Sequence, residues 1–233
     1  MSYEVVRLGD VTKQVRGVSY KDSDISEIES EVYLPVLRAN NIQESRLNYE
    51  NLVFIDKKRI KEEQLLRKGD IVIAASSGSI KIVGKAGKVL EDKNASFGAF
   101  CKLIRPLERI NPNYLSNFFK TVYYKTTIEK VAQGANINNL RNEDLDNLQI
   151  PLPPLDIQKK IADTLDKAQE LIDKRKEQIS ALDKFLENLF LDMFGDPVSN
   201  PMGWEVKKLI EVAKVNMGQS PLGESYNFEG LGE

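Results

Sequence analysis

The feature that most constrains this chain is the stretch from Asp156 to Phe194, which contains no glycine or proline and lies between Pro151-Leu152-Pro153-Pro154 and Gly195-Asp196-Pro197. Prolines before a helix and a glycine with a following proline after it are start and stop signals, and Asp156 is the expected N-cap. At ~1.5 Å per residue the predicted helix spans about 58 Å. Its apolar residues Ile161, Leu165, Ala168, Ile172, Ile179, Leu182, Leu186, Leu189 and Met193 alternate in steps of four and three with one break, a coiled-coil seam. The break is Arg175, a charge on a seam position, which costs stability but fixes register or partner. Leu171, Phe185, Phe190 and Phe194 widen the stripe, so more than one partner helix is expected near the C-terminal half. The competing reading is a helix lying on its own domain.

Residues 1–150 read differently. Val32 to Leu37, Leu52 to Ile55, Asp70 to Ala74 and Ala99 to Ile104 are apolar or β-branched runs of strand length bounded by turn residues, and they suggest a small curved sheet. Asn111-Pro112-Asn113 followed by Tyr114, Leu115, Phe118, Phe119, Val122 and Tyr123 has helical spacing behind a cap, ending before the polar segment 133–139. The third region restarts the beginning of the chain. Tyr3 to Lys13 aligns without gaps on Trp204 to Lys214, and at the same offset Gly17 matches Gly218 and Ser19 matches Ser220. Seven of these pairs are identical, so the repeating unit is a domain plus a long helix, of which residues 197–233 hold only the opening of a second copy.

Composition narrows the chemistry. There is no histidine, which removes Ser/His/Asp triads, Cys/His pairs, zincins and His-dependent nucleases. The single cysteine, Cys101, lies in an apolar stretch, excludes a disulfide framework or a cysteine metal cluster within one chain, and is expected to be a buried thiol. No apolar run reaches the roughly 20 residues of a membrane span, and the start Met1-Ser2-Tyr3-Glu4 lacks an export pattern, so a cytoplasmic protein with no membrane partner is expected. The net charge of −2 hides an uneven distribution: residues 57–125 carry 15 Lys/Arg against 6 Asp/Glu, while residues 151–200 carry 7 against 10.

These residues bring a family into view. Leu152-Pro153-Pro154-Leu155-Asp156-Ile157-Gln158-Lys159-Lys160-Ile161-Ala162, leading into a charged helix that ends Phe190-Leu191-Asp192-Met193-Phe194-Gly195-Asp196, resembles the junction of a target-recognition domain with the spacer helix in specificity (S) subunits of type I restriction-modification systems. Leu34-Pro35-Val36-Leu37-Arg38-Ala39-Asn40-Asn41-Ile42 and Leu66-Arg67-Lys68-Gly69-Asp70-Ile71-Val72-Ile73-Ala74 are similar to landmarks of the domain itself. The resemblance implies a non-catalytic reader of double-stranded DNA that docks modification (methyltransferase) subunits and, through them, the restriction subunit. It also implies that S-adenosylmethionine, ATP and magnesium belong to those partners. A complete subunit of that family carries two recognition domains and two antiparallel spacer helices, and this chain has one of each. An antiparallel homodimer through the helix is therefore expected, reading a gapped palindrome.

Three groups carry the expected DNA contacts. Ser76, Ser77 and Ser79 with Lys81, Lys85 and Lys88 combine hydroxyls, pliable backbone and cations suited to phosphate oxygens. Gln133, Asn136, Asn138 and Arg141 offer amides that pair with adenine edges and a guanidinium that pairs with guanine. Arg38, Asn40 and Asn41 form a third, although Asn40-Asn41 also suits a simple turn. Catalytic look-alikes are weaker. Asn111-Pro112-Asn113-Tyr114 approaches an amino-methyltransferase motif but is explained by an Asn cap followed by Pro. Gly78 to Lys85 has the wrong spacing for a nucleotide loop, with Ala86 where a Ser or Thr belongs. Asp70 with Glu91-Asp92-Lys93 leaves open a magnesium-dependent nuclease, and a coiled-coil assembly protein without DNA contact is the other rival. The expectation is an α+β fold: a mixed recognition domain over 1–150, a long protruding coiled-coil helix over 151–196, and a linker with an incomplete second domain over 197–233.

Overall fold

The computed structural model describes residues 3–26, 30–43, 45–79, 82–134, 139–216 and 218, and it divides into two units, Met1–Ile172 and Asp173–Glu233. The first unit holds strands β1 (Val5–Arg7), β2 (Thr12–Arg16), β3 (Ile25–Ser26), β4 (Tyr33–Leu37), β5 (Ile42–Gln43), β6 (Arg46–Leu47), β7 (Val53–Asp56), β8 (Ile71–Ala74), β9 (Ala86–Lys88), β10 (Ser96–Phe97), β11 (Cys101–Pro106) and β12 (Gln149–Pro151). Helices α1 (Pro112–Phe118), α2 (Val122–Gly134) and α3 (Asn142–Asp146) follow the strands, then α4 (Leu155–Phe194) and, in the second unit, α5 (Leu209–Val212). Among the described residues no helix is long and apolar enough to cross a membrane.

The strands form two four-stranded sheets and two short pairs rather than the one small sheet expected. In the central sheet, ordered β2-β11-β8-β9, all neighbours are antiparallel. Side chains of a strand alternate between faces, and here each face has a core of its own. Ile71, Ile73 and Ile104 pack with Leu115 and Phe118 of α1, Phe119 at its C-cap, and Tyr124 and Ile128 of α2. Val72, Ala74, Cys101 and Leu103 pack with Leu37, Ile42 and Phe97 of the other strands. Burial on both faces accounts for the unbroken apolar run Ile71-Val72-Ile73-Ala74. The second sheet is ordered β10-β4-β7-β3, with β10 parallel to β4 and the other pairs antiparallel.

Two polar anchors secure this arrangement. Arg105 on β11 donates from Nε and Nη2 to the two carboxylate oxygens of buried Asp70, at 2.9 and 2.7 Å, and from Nη2 to the Leu65 carbonyl at 3.0 Å. The Asp70 carboxylate raises the Arg105 guanidinium above its ordinary value. Gln158, on the first turns of α4, is fully buried. Its Nε2 donates to the carbonyls of Pro153 and Arg109, and its Oε1 accepts from the Asn111 N–H. Backbone crowding fixes a third point. A Cβ on Gly17 would lie 2.0 Å from the Gly98 carbonyl oxygen, beside the Val18–Gly98 bridge, which explains a glycine there.

Local expectations fare unevenly. Asn111 does cap α1, accepting from the N–H groups of Asn113 and Tyr114. The single helix expected behind it is two, because Thr121 interrupts it: its hydroxyl bonds the Phe118 carbonyl and accepts from the Tyr124 N–H. Asp156 is not the N-cap of α4. The helix begins at Leu155, and the Ile157 and Gln158 N–H groups bond the Pro154 carbonyl, leaving Asp156 as a first-turn acid. It ends at Phe194 as expected, with Gly195 at φ +78° and its N–H on the Leu191 carbonyl. Cys101 is buried, and burial pushes its thiol up to about 12.

In the second unit, the seam residues Ile179, Leu182, Leu186, Leu189 and Met193 are all exposed. The restart of the sequence has a structural counterpart. Lys208 precedes α5 at φ −70°, ψ 142°, and Arg7 precedes the 3-10 turn Leu8–Asp10 at φ −72°, ψ 142°. Leu8 and Val11 are 1% and 0% exposed, whereas their counterparts Leu209 and Val212 are 66% and 64% exposed. Ser220 lies outside the described residues.

Removing one partner of a buried ion pair strands the other, so Asp70→Ala is expected to cost ~3–5 kcal/mol of stability, read from the urea midpoint. Gly17→Ala should also destabilise strongly, while Gly78→Ala, with open space around it, should stay within about 0.5 kcal/mol.

Candidate nucleic-acid interface

The candidate residues are scattered in sequence, and strand register decides which of them meet. Arg38 and Asn40 stand at a 3-10 turn, Ala39–Asn41, that follows β4. Asn41 builds that turn: it is buried, its Oδ1 accepts from the Arg38 N–H at 2.9 Å and its Nδ2 donates to the Glu50 carbonyl at 2.9 Å. Arg38 donates from Nη2 to the Asn51 carbonyl at 3.0 Å, and its buried Nε has no hydrogen-bond partner. Asn40 is exposed. Ser76 and Ser77 leave the end of β8, held by Ala75 and Ser76 N–H groups that both donate to the Phe100 carbonyl, at 2.9 and 3.0 Å. Arg38, Asn40, Ser76 and Ser77 line one hollow of about 530 Å³, together with Tyr20, Ile82, Ala99 and Phe100.

A second hollow, about 660 Å³, shares Ser19 and Ala99 with the first and is lined by Arg16, Lys102, Asn139 and Arg141. The two are joined by backbone: Ser76 bridges Asn139, and the Leu140 N–H donates to the Ala75 carbonyl at 2.8 Å. Arg141 is exposed, its N–H on Asp144 Oδ2 at 2.7 Å. The three sequence groups therefore each contribute to one continuous concave face.

Other members of those groups lie elsewhere. Ser79 is exposed and its N–H donates to Ser77 Oγ at 3.2 Å, but it lines neither hollow. Lys85 faces a separate hollow with Tyr124, Lys125 and Ile128. Lys88 donates to Asn113 Oδ1 at 2.8 Å, and burial, with Lys120 and Lys68 nearby, lowers its pKa against the opposing pull of Asp166. Lys81, Asn136, Asn138 and the side chain of Gln133 lie outside the described residues.

Arg16 and Lys102 were not singled out by sequence. They are direct partners across β2 and β11, two cations opposite each other, an arrangement that destabilises a sheet unless an anion lies between them. Lys102 donates to Asn142 Oδ1 at 2.7 Å; burial lowers its pKa, as does Arg16, while Asp144 and Asp146 oppose the shift. Their separation in sequence, 86 residues, hides the pairing.

The nuclease triplet does not assemble. Asp70 is buried against Arg105, and its Oδ2 also accepts from the Arg67 N–H at 2.8 Å. Glu91 pairs with Lys93 at 2.5 Å on the surface. Among the described residues no group of three or more acidic or cysteine side chains is placed to hold a metal ion.

Comparison with known proteins bears on the family and fold of the chain. The family model described as "Type I restriction modification DNA specificity domain" matches residues 2–182. The chain is 40% identical over 177 residues to the type I restriction enzyme StySPI specificity subunit of Salmonella potsdam, covering 76% of this chain and 38% of that protein. It is 34% identical over 227 residues to the EcoKI specificity subunit of Escherichia coli (strain K12), covering 97% of this chain and 47% of that protein. The chain thus spans less than half the length of these relatives. Among solved structures, the HsdS subunit from Thermoanaerobacter tengcongensis superposes with a TM-score of 0.58 at 22% identity, over 82% of this chain and 44% of that one. A chain from a study of type I R-M complex assembly and conformational transition gives 0.61 at 22% identity, over 81% and 43%. By the family model and by these identities, the chain belongs to the type I restriction-modification DNA specificity family.

Proposed function

We propose that this chain is the sequence-reading part of a type I restriction-modification enzyme, non-catalytic in itself, and that the two joined hollows face its double-stranded DNA. The observation that carries this reading is the convergence of Arg38, Asn40, Ser76 and Ser77 with Arg16, Lys102 and Arg141 on one concave face of a specificity-family domain. Guanidinium and amide groups read base edges in the major groove, while lysines and hydroxyls position the phosphates. The recognition domain comprises residues 1–150, residues 151–196 form the spacer with α4 (Leu155–Phe194) inside it, and residues 197–233 begin a second domain. Modification subunits, and through them the restriction subunit, supply the chemistry with S-adenosylmethionine, ATP and magnesium, in the cytoplasm. The exposed seam of α4 pairs two copies antiparallel, so that a bipartite site is read across a fixed gap.

Two experiments test this, both on the chain with its modification subunits. Arg141→Ala is expected to weaken binding to the selected duplex by ~1–3 kcal/mol and relax the preference at one base pair. Lys102→Ala should weaken specific and random duplexes alike and lower the salt slope by about one. Equal affinity of both variants with the parent, in a salt-titrated anisotropy assay, would refute the assignment of this face. Separately, Leu182→Glu with Leu186→Glu should halve the mass seen by light scattering while leaving the domain's melting transition in place; an unchanged mass rules out pairing through the seam.

A further inference from the structure

Phe100 is the one exposed phenylalanine of the recognition domain, 69% accessible, while Phe97, Phe118 and Phe119 are buried and Phe54 is partly so. The turn that carries Phe100 is held by backbone bonds. The Gly98 N–H donates to the Leu37 carbonyl at 2.8 Å, the Cys101 N–H to the Gly98 carbonyl at 2.8 Å, and the Phe100 carbonyl accepts from both Ala75 and Ser76. The turn also passes too close to Gly17 for any Cβ to fit there. An aromatic ring held out to solvent on so constrained a turn does not serve the core, and the backbone that carries it is ordered before any ligand arrives. Phe100 lines the hollow that holds Arg38, Asn40, Ser76 and Ser77, next to the hollow lined by three cations, Arg16, Lys102 and Arg141, and one acid, Glu143. This charge complements a polyanion, and a flat apolar ring amid hydrogen-bonding groups complements the one apolar group on a base edge.

We propose that Phe100 is a specificity-determining residue that contacts the 5-methyl group of a thymine in the major groove. The inference rests on the DNA-reading function proposed above and adds a base preference to it. Thymine displays its methyl only in the major groove, where aromatic and other apolar side chains cover it. The flanking Asn40, Ser76 and Ser77 supply the polar contacts that a ring lacks.

The test uses the full chain with its modification subunits and a pool of random duplexes, from which the bound sequence is recovered. That duplex is then made with deoxyuridine in place of each thymine in turn, which deletes only the methyl. For the parent protein, one substitution is expected to weaken binding by about fourfold, the worth of one buried methyl-sized group. In Phe100→Ala the same substitution should make no further difference, and Phe100→Leu should retain part of the discrimination. Because the side chain is exposed, both variants should melt with the parent. A recovered sequence for which parent and Phe100→Ala respond alike to every deoxyuridine overturns the inference and leaves DNA reading intact. Increased 2-aminopurine fluorescence beside the site, lost in Phe100→Ala, also overturns it, since the ring then inserts between bases. Failure to recover any preferred sequence overturns this inference and the proposed function together.

Discussion

The buried pair between Asp70 and Arg105 governs more of this domain than its two residues suggest. Asp70 opens the central strand β8 and Arg105 stands on its neighbour β11, so the pair fixes their ends together where the chain enters the sheet. A buried carboxylate without its guanidinium is costly, whereas the satisfied pair also collects the carbonyls of Glu63 and Leu65 and ties the preceding turn to the sheet. With β8 and β11 in register, Ile71 and Ile73 face the helices and Val72 and Ala74 face the second sheet. A slip of one residue would exchange those faces. The Ser76–Ser77 segment leaves β8 and the Phe100 turn enters β11, so these two parts of the concave face inherit the register that the ion pair secures.

The same carboxylate shows how a motif can mislead. Asp70 followed by Glu91 and Lys93 has the composition of a metal-dependent nuclease, and nothing in linear sequence reveals that an arginine 35 residues later takes both oxygens. The concave face depends on polar groups of another kind. Arg16 and Lys102 are aligned by strand pairing, like charge opposite like charge, with Asp144 and Asp146 offsetting part of the repulsion at Lys102.

Much of the fold was legible because it is periodic or capped. The seam of α4 repeats for nine positions, and its stop at Gly195 follows from a left-handed residue that only glycine adopts at no cost. Asn111 before Pro112 reads directly as a cap. Thr121 breaking a helix was not legible, since its effect depends on one hydroxyl choosing a backbone partner. The site was half legible. Residue type pointed to Arg38, Asn40, Ser76, Ser77 and Arg141, but Lys88 was grouped with them by proximity alone. Strand β9 runs antiparallel to β8 and carries Lys88 back beside Ile71, the end of β8 remote from Ser76. Arg16 and Lys102 were missed because only register brings them together.

The turn that carries Phe100 is fastened through backbone N–H and carbonyl groups, and so are the segments beginning at Ser76 and Leu140. Peptide groups are the same whatever residue they belong to. Exposed side chains on these segments, such as those of Phe100 and Arg141, can therefore be exchanged without touching these backbone bonds. On the function proposed above, a domain built in this way separates its scaffold from its alphabet: new target sequences are open to it through single substitutions on an unchanged frame, and the evolution of specificity need not pass through unstable intermediates.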